Sequence, residues 1–262
     1  MVRTKPVTSA DNPRYKTLRR LMQSARARKR AGLSVLDGAH LVAAYRHHAG
    51  VPEQLVVNRS GLENSEVRAL VESMPGTEAL VLGDALFADL STVVTPTGIM
   101  AIVRTPRQQA VPRDMDTCVM LEDLQDPGNL GSILRSCAAA GVRHVLLSGA
   151  SAQAWSPRVL RAAMGAHFAL TIYEGVDLEA AARAYPGKRV ATRQRARRSV
   201  FDADLKGKVA FLFGNEGAGL SRALQDAADL VVAIPMPGQA ESLNVAAAAA
   251  ICLFERVRQS SL

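Results

Sequence analysis

Three loops in the second half of the chain do most to limit what it can fold into. They read Asp126-Pro-Gly-Asn-Leu-Gly-Ser-Ile-Leu-Arg135, Phe213-Gly-Asn-Glu-Gly-Ala-Gly-Leu220 and Ile234-Pro-Met-Pro-Gly-Gln-Ala-Glu-Ser-Leu-Asn244. Each follows an apolar run of strand length and leads into a run with helical spacing. Strands alternating with helices build an α/β fold on a mainly parallel sheet, and such sheets bind ligands beyond the carboxyl ends of their strands. The loops gather at those ends the glycines that allow close backbone approach and the polar residues that orient a substrate.

With 262 residues the chain suits one large domain or two small ones. Apolar residues reach 48%, enough for a sizeable core, and the 21% charged residues argue against global disorder. Cys118, Cys137 and Cys252 form no CxxC pair. A disulfide framework or zinc site is therefore not expected, and a reducing cytoplasm is. The apolar run Val245 to Phe254 falls short of the ~20 residues that span a bilayer, so a buried helix and no membrane are expected. The start lacks an apolar signal core. Its Arg-rich, acid-poor character resembles a transit peptide, but a nucleic-acid-binding arm explains it as well.

Charge is unevenly spread. Residues 1–30 hold ten Lys and Arg, among them Arg19, Arg20, Arg26, Arg28, Lys29 and Arg30, against Asp11 alone. The whole chain carries only +8, so the remainder is near neutral. A basic leader on a near-neutral body suggests a polyanion partner; a solvated arm is the bland alternative. Lys188, Arg189, Arg193, Arg195, Arg197 and Arg198 form a second basic cluster without an acid. Aromatics, at 4%, are too few for extensive base stacking.

Along the chain, residues 13–31 suit one amphipathic helix, through Leu18, Leu21, Met22 and Ala25, and residues 35–49 read as another. Strands are expected over 54–58, 79–82 and 99–103, with helices over 63–72 and 84–89. Residues 104–117, with Pro106 and Pro112, lose periodicity and read as a linker. Strands then follow over 118–121, 142–147, 189–192, 208–213 and 230–234. Helices are expected over 130–140, 157–164, 178–185, 221–227 and 243–257. This gives a basic helical extension over 1–31, a small α/β domain over 32–104, a linker over 105–117 and a larger α/β domain over 118–262.

The common nucleotide and metal signatures are missing. No GxGxxG follows the first strand, no GxxxxGK[ST] occurs, and no HExxH or His/Cys spacing suggests a metal. What remains is a set of strand-end loops suited to an apolar-and-polar small molecule, with Ile234, Met236 and Leu243 as apolar walls.

At these residues the chain closely resembles the SpoU/TrmH-type branch of the SPOUT RNA methyltransferases. Asn129-Leu-Gly131-x-x-x-Arg135 is similar to the first signature motif, with Gly141 closing its helix. Phe213 to Leu220 is similar to the second motif and Ile234 to Val245 to the third, in the same order and spacing. Ser9-x-x-Asn12-Pro13, the basic helix and Leu36-Asp-Gly38 resemble the family's ribosomal-protein-like substrate-binding domain. The resemblance thus covers nearly the whole chain.

It implies S-adenosyl-L-methionine (SAM) as methyl donor and an RNA ribose 2′-hydroxyl as acceptor, ribosomal RNA more readily than transfer RNA. It also implies a C-terminal trefoil knot and a homodimer. Arg135, Asn129, Glu216, Ser242 and Asn244 are then the expected catalytic positions. Thr192, Gly214, Ile234, Met236, Gly238 and Leu243 are the expected donor-binding positions, and the basic leader with Arg158 and Arg161 is expected to hold RNA. The family casts Arg135 as general base, which is chemically awkward because arginine stays protonated in proteins. Arg135 could relay the proton to an RNA phosphate, hold that phosphate bidentately, or merely pair with Glu216. Glu216 could orient Arg135 or cap a helix. Asn129, Ser242 and Asn244 could cap helices or meet the substrate. Ala163 stands where the family often carries Ser. A transfer-RNA methyltransferase, a base-nitrogen methyltransferase and a non-catalytic RNA-binding protein on the same fold are the competing readings.

Overall fold

The computed structural model describes residues 3–260. Residues 1, 2, 261 and 262 of the expected first and last domains lie outside the described residues. The chain divides into two compact units, 1–107 with 155–168, and 108–154 with 169–262.

The first unit begins with β1 (Arg3–Val7), α1 (Pro13–Gln23), α2 (Ala25–Ala31), β2 (Leu33–Asp37), α3 (Ala39–His48) and β3 (Gln54–Asn58). It continues through α4 (Arg59–Glu63), α5 (Ser65–Glu72), β4 (Glu78–Leu82), α6 (Asp84–Leu90) and β5 (Ile99–Arg104). Its sheet runs β1-β4-β3-β5-β2. The β1/β4 and β4/β3 pairs are parallel, and β5 is antiparallel to both β3 and β2.

The expected extension over 1–31 is instead part of this unit. β1 pairs along β4 from Arg3↔Glu78 to Val7↔Leu82. Tyr15, Leu18 and Leu21 of α1 are buried with Leu80, Leu82, Phe87 and Met100. Side chains of this size each stabilise by ~2 kcal/mol when buried, far more than an arm needs. Nor is 13–31 one helix. Ser24 leaves the helical conformation, ends α1 and caps α2 by accepting from the Ala27 N–H at 3.2 Å. The stretch read as helix from Val35 begins as strand β2, whose Ser34 to Asp37 are all buried.

The second unit contains β6 (Cys118–Leu121), α7 (Pro127–Ala139) and β7 (His144–Leu147). The next helix, α8 (Pro157–Ala163), lies in the segment that belongs to the first unit, where it packs on β2; the expected boundary of 118–262 does not separate it. Then follow β8 (Thr171–Tyr173), α9 (Leu178–Ala184), β9 (Lys188–Thr192), β10 (Arg198–Ser199), β11 (Val209–Phe213), α10 (Arg222–Asp226), β12 (Leu230–Ala233) and α11 (Val245–Ser260). The sheet order is β10-β12-β9-β11-β6-β7-β8, with every pair parallel. β11 is buried at all five residues, as expected for a strand covered on both faces, and α11 packs against α7.

Residues 105–117, read as a linker, carry no strand or helix but are tied down. Met115 is buried, and Tyr185 donates its hydroxyl to the Asp116 carbonyl at 2.5 Å. The three cysteines are free thiols in the core, and burial pushes those of Cys118 and Cys252 up to about 12. No described helix is long and apolar enough to cross a membrane.

Candidate active site

Beyond the carboxyl ends of β9, β11 and β12 the second unit opens a cleft of about 760 Å³. This lies within the range of small-molecule sites, roughly 300–1,000 Å³. The loop after β11 makes one wall by folding onto itself. Asn215 and Gly219 exchange both backbone hydrogen bonds, at 3.1 and 2.9 Å. The Asn215 side chain accepts from the N–H groups of Gly217 and Ala218, at 2.9 and 3.0 Å, and donates to the Asp123 carbonyl at 2.8 Å. Gly214 has no room for a side chain: a β-carbon there would overlap the Gly219 carbonyl carbon and the Leu220 nitrogen. Asp123 is held in the left-handed region, φ 52°, by Ser148, which hydrogen-bonds both its N–H and its carboxylate, at 2.8 and 2.6 Å.

One polar chain joins the three loops. Glu216 Oε1 accepts from Asn129 Nδ2 at 3.1 Å and, at 3.4 Å, from the Asp126 N–H. Asn129 Oδ1 accepts from Asn244 Nδ2 at 2.8 Å. Asn244 Oδ1 in turn accepts from the Ala246 N–H at 2.8 Å and so caps α11. An ionised carboxylate only accepts and a helix N-terminus only donates. The two ends of the chain therefore fix which way both intervening amides point.

Against this geometry, residues 116–254 match the SpoU rRNA Methylase family and residues 12–101 match the MRM3-like substrate binding domain. The first match alone covers more than half the chain. The chain belongs to the SpoU rRNA methylase family. One relative is the 23S rRNA (guanosine(2553)-2′-O)-methyltransferase RlmP of Bacillus subtilis, 30% identical over 95% of this chain and 98% of its own length. A crystal structure of an RNA 2′-O ribose methyltransferase superposes with a TM-score of 0.86 at 32% identity, covering 98% of this chain and all of that one. The SpoU methyltransferase AviRb from Streptomyces viridochromogenes, solved in complex with the cofactor AdoMet, gives 0.84 at 30% identity over 95% of this chain and 98% of its own.

In this SpoU-family chain Asn129, Glu216, Ser242 and Asn244 line the cleft, as do Thr192, Gly214, Ile234, Met236 and Leu243. Gly238 and Arg135 do not. Arg135 is exposed on α7 and forms no ion pair among the described residues, so the pairing with Glu216 weighed from sequence is not made. Glu216 is engaged by the Asn129 amide instead. Asn129 does not cap α7 with its side chain. Asp126 does, accepting from the Asn129 N–H at 2.7 Å. Of Ser242 and Asn244, only Asn244 caps α11.

The expected RNA positions divide as well. Arg28 is buried, 5% exposed, and donates to the carbonyls of Leu21 and Met22 at 2.7 and 3.2 Å. A buried guanidinium must fill its donors, and here it does so with backbone carbonyls of α1, so it is not available to RNA. Arg19 lies 3.8 Å from Asp89. Arg20, Arg26, Lys29, Arg30 and Arg158 are exposed, and Arg161 is half-buried. Ala163 is fully buried, so a hydroxyl there would have to find a partner inside the first unit.

Among the cleft-lining residues to which the motif reading gave no role are Asn215, Gln194, Gln225 and Glu241. Asn215 had a local signal. An Asn directly after a glycine at a strand end is a strong turn former.

Proposed function

We propose that this protein methylates a ribose 2′-hydroxyl of ribosomal RNA, with S-adenosyl-L-methionine as donor. The observation that carries the reading is the cleft lined by all three loops and laced by the Glu216–Asn129–Asn244 chain. The named activities of the relatives support it.

The cleft suits the donor in shape and chemistry. Gly214 leaves backbone bare, and Ile234, Met236 and Leu243 offer the apolar faces that an adenine ring needs, with Thr192 and Ser242 as polar contacts. The donor supplies a methyl already activated on a sulfonium. The residues here must align the acceptor oxygen and manage its proton. As the ribose oxygen takes the methyl it gives up its proton, and the negative charge it develops calls for a nearby cation. Arg135 holds the adjacent RNA phosphate bidentately, stabilises that charge, and the proton leaves by the phosphate to water. Glu216, fixed by Asn129, keeps the second loop in register.

Arg135 lies outside the cleft of its own chain, so a homodimer would let it serve the cleft of the partner. The trefoil knot implied by the resemblance belongs to the same proposal, as do substrate binding through the exposed basic residues of α1 and α2 and a cytoplasmic location beside the ribosomal RNA.

Labelled methyl from SAM should pass to deproteinised 23S rRNA and map to a ribose, and Arg135→Ala should abolish transfer. A label on a base would overturn the ribose assignment, and equal transfer to tRNA the choice of RNA. For the dimer, Arg135→Ala and Gly214→Val protomers, each inactive alone, should regain up to about a quarter of the activity when mixed, since half the dimers are mixed and each has one intact site. No recovery would place Arg135 with its own cleft.

A further inference from the structure

The second basic cluster is divided by the structure into paired and unpaired halves. Lys188 pairs with Asp204. Arg189 grips Asp229 with two donors, Nε at 2.8 Å and Nη2 at 2.5 Å, and adds its backbone N–H at 2.8 Å. That contact holds the Asp229 carboxyl below its usual range. These two residues fasten β9 to its surroundings. Past Thr192 the pattern changes. Arg193, Arg195, Arg197 and Arg198 are all exposed, and none forms an ion pair among the described residues.

This run is placed, not loose. The Arg193 N–H donates to the Val232 carbonyl at 2.9 Å, which pins the chain to the end of β12. Arg198 lies in β10, paired with β12 at Val232. Between these anchors Arg193 and Arg195 line the cleft, with Gln194 between them. The acids on the same cleft form no ion pair with them. Glu216 is engaged by the first loop, and Glu241 makes no salt bridge with either arginine.

Four like charges within six residues repel one another, and none of them is held in an ion pair among the described residues. A single carboxylate on a donor molecule would balance only one. A polyanion crossing the cleft mouth would balance all four, and guanidinium forks suit phosphate oxygens bidentately. Resting on the proposed reaction, we propose that Arg193 and Arg195 bind two backbone phosphates of the acceptor RNA at the cleft mouth. Arg197 and Arg198 add diffuse attraction further out. These are positions for holding substrate, separate from the donor contacts and from Arg135.

The test is the Arg193→Ala/Arg195→Ala double variant, bound to labelled deproteinised 23S rRNA over a range of salt. Each lost phosphate contact lowers the magnitude of the log K against log salt slope by about 0.7 to 0.9, so a drop of about 1.4 to 1.8 is expected. The KM for RNA should rise about tenfold or more, with SAM affinity by calorimetry unchanged. Arg193→Lys/Arg195→Lys should restore the salt slope, which a merely structural role would not produce. An unchanged slope overturns the proposal, and with weakened SAM binding it assigns the two arginines to the donor carboxylate. If the unaltered protein binds RNA with the expected slope but transfers no methyl, the proposed reaction fails and this contact stands.

Discussion

Each unit sets an asparagine turn at a strand end beside a crowded glycine, and the two turns do opposite things. At the end of β3, Asn58 accepts from the Gly61 N–H at 2.8 Å and donates to Ser60 at 3.0 Å. Gly61 is pressed against Gly98 from the separate connection leading into β5. The sheet end is sealed, and Asn58 is 7% exposed. At the end of β11, Asn215 makes the same kind of turn, but Gly214 is pressed against Gly219 of its own loop. That loop closes on itself and leaves the ends of β9 and β12 uncovered. Asparagine-glycine turn chemistry is therefore indifferent to function. The partner of the crowded glycine decides whether a strand end becomes a lid or a cleft.

The sharpest way to break this comparison is a pair of alanines. Gly214→Ala must force the second loop open. Strain of about 1–3 kcal/mol should weaken SAM binding by roughly 10- to 100-fold in calorimetry and leave the melting of the first unit unchanged. Gly61→Ala should destabilise the first unit by a similar ~1–3 kcal/mol, seen by hydrogen exchange, with SAM affinity unaltered. Loss of SAM affinity in Gly61→Ala would sink the division of labour.

Asn129 sharpens the cleft side. Asn129→Ala removes the bridge between Glu216 and Asn244, and losing these two exposed hydrogen bonds, one of them to a carboxylate, costs about 1–2 kcal/mol, read as a lower kcat/KM. Asn129→Asp should be worse than alanine, because it sets a carboxylate against Glu216. Equal activity in the two variants would deny the polar chain its role.

Within the first unit, Arg28→Ala should lower stability by ~1–2 kcal/mol and hardly alter RNA binding. Arg30→Ala should do the reverse, lowering the salt slope of RNA binding and leaving the melting temperature alone. The smallest effect is expected at Asp229→Asn. The Arg189 contact holds the Asp229 carboxyl below its ordinary value of 3.8, so its stabilisation is full above that pH and is lost as pH falls through the lower folded value. The side chain is 41% exposed, so screening limits the loss at pH 7 to about 1 kcal/mol or less. The variant and the unaltered protein should converge in acid melts.

Much of the second unit was legible because its signals are local. Buried parallel strands are continuous apolar runs, as in Val209 to Phe213. Caps such as Asp126 before Pro127, and turns such as Asn215, depend on neighbours in sequence. β1, β8 and β10 escaped because short edge strands carry little apolar signal. Val35 to Asp37 reads as the start of a helix because a short apolar run fits strand or helix equally until a partner is known. Its partners, β5 and α8, lie some 65 and 120 residues further along.

The sequence by itself determined the family, the order of the three loops and the residue types of the cleft, since these follow from spacing along the chain. Tertiary structure decided which charges are free. Arg28 and Arg195 look alike in the chain, but one is spent on helix carbonyls and the other faces the cleft. It also decided that Arg135 stands apart from Glu216, whose carboxylate meets the Asn129 amide instead. Hydrogen bonds and ion pairs are exclusive and depend on distance in space. A sequence lists the groups competing for each partner, and only packing selects among them.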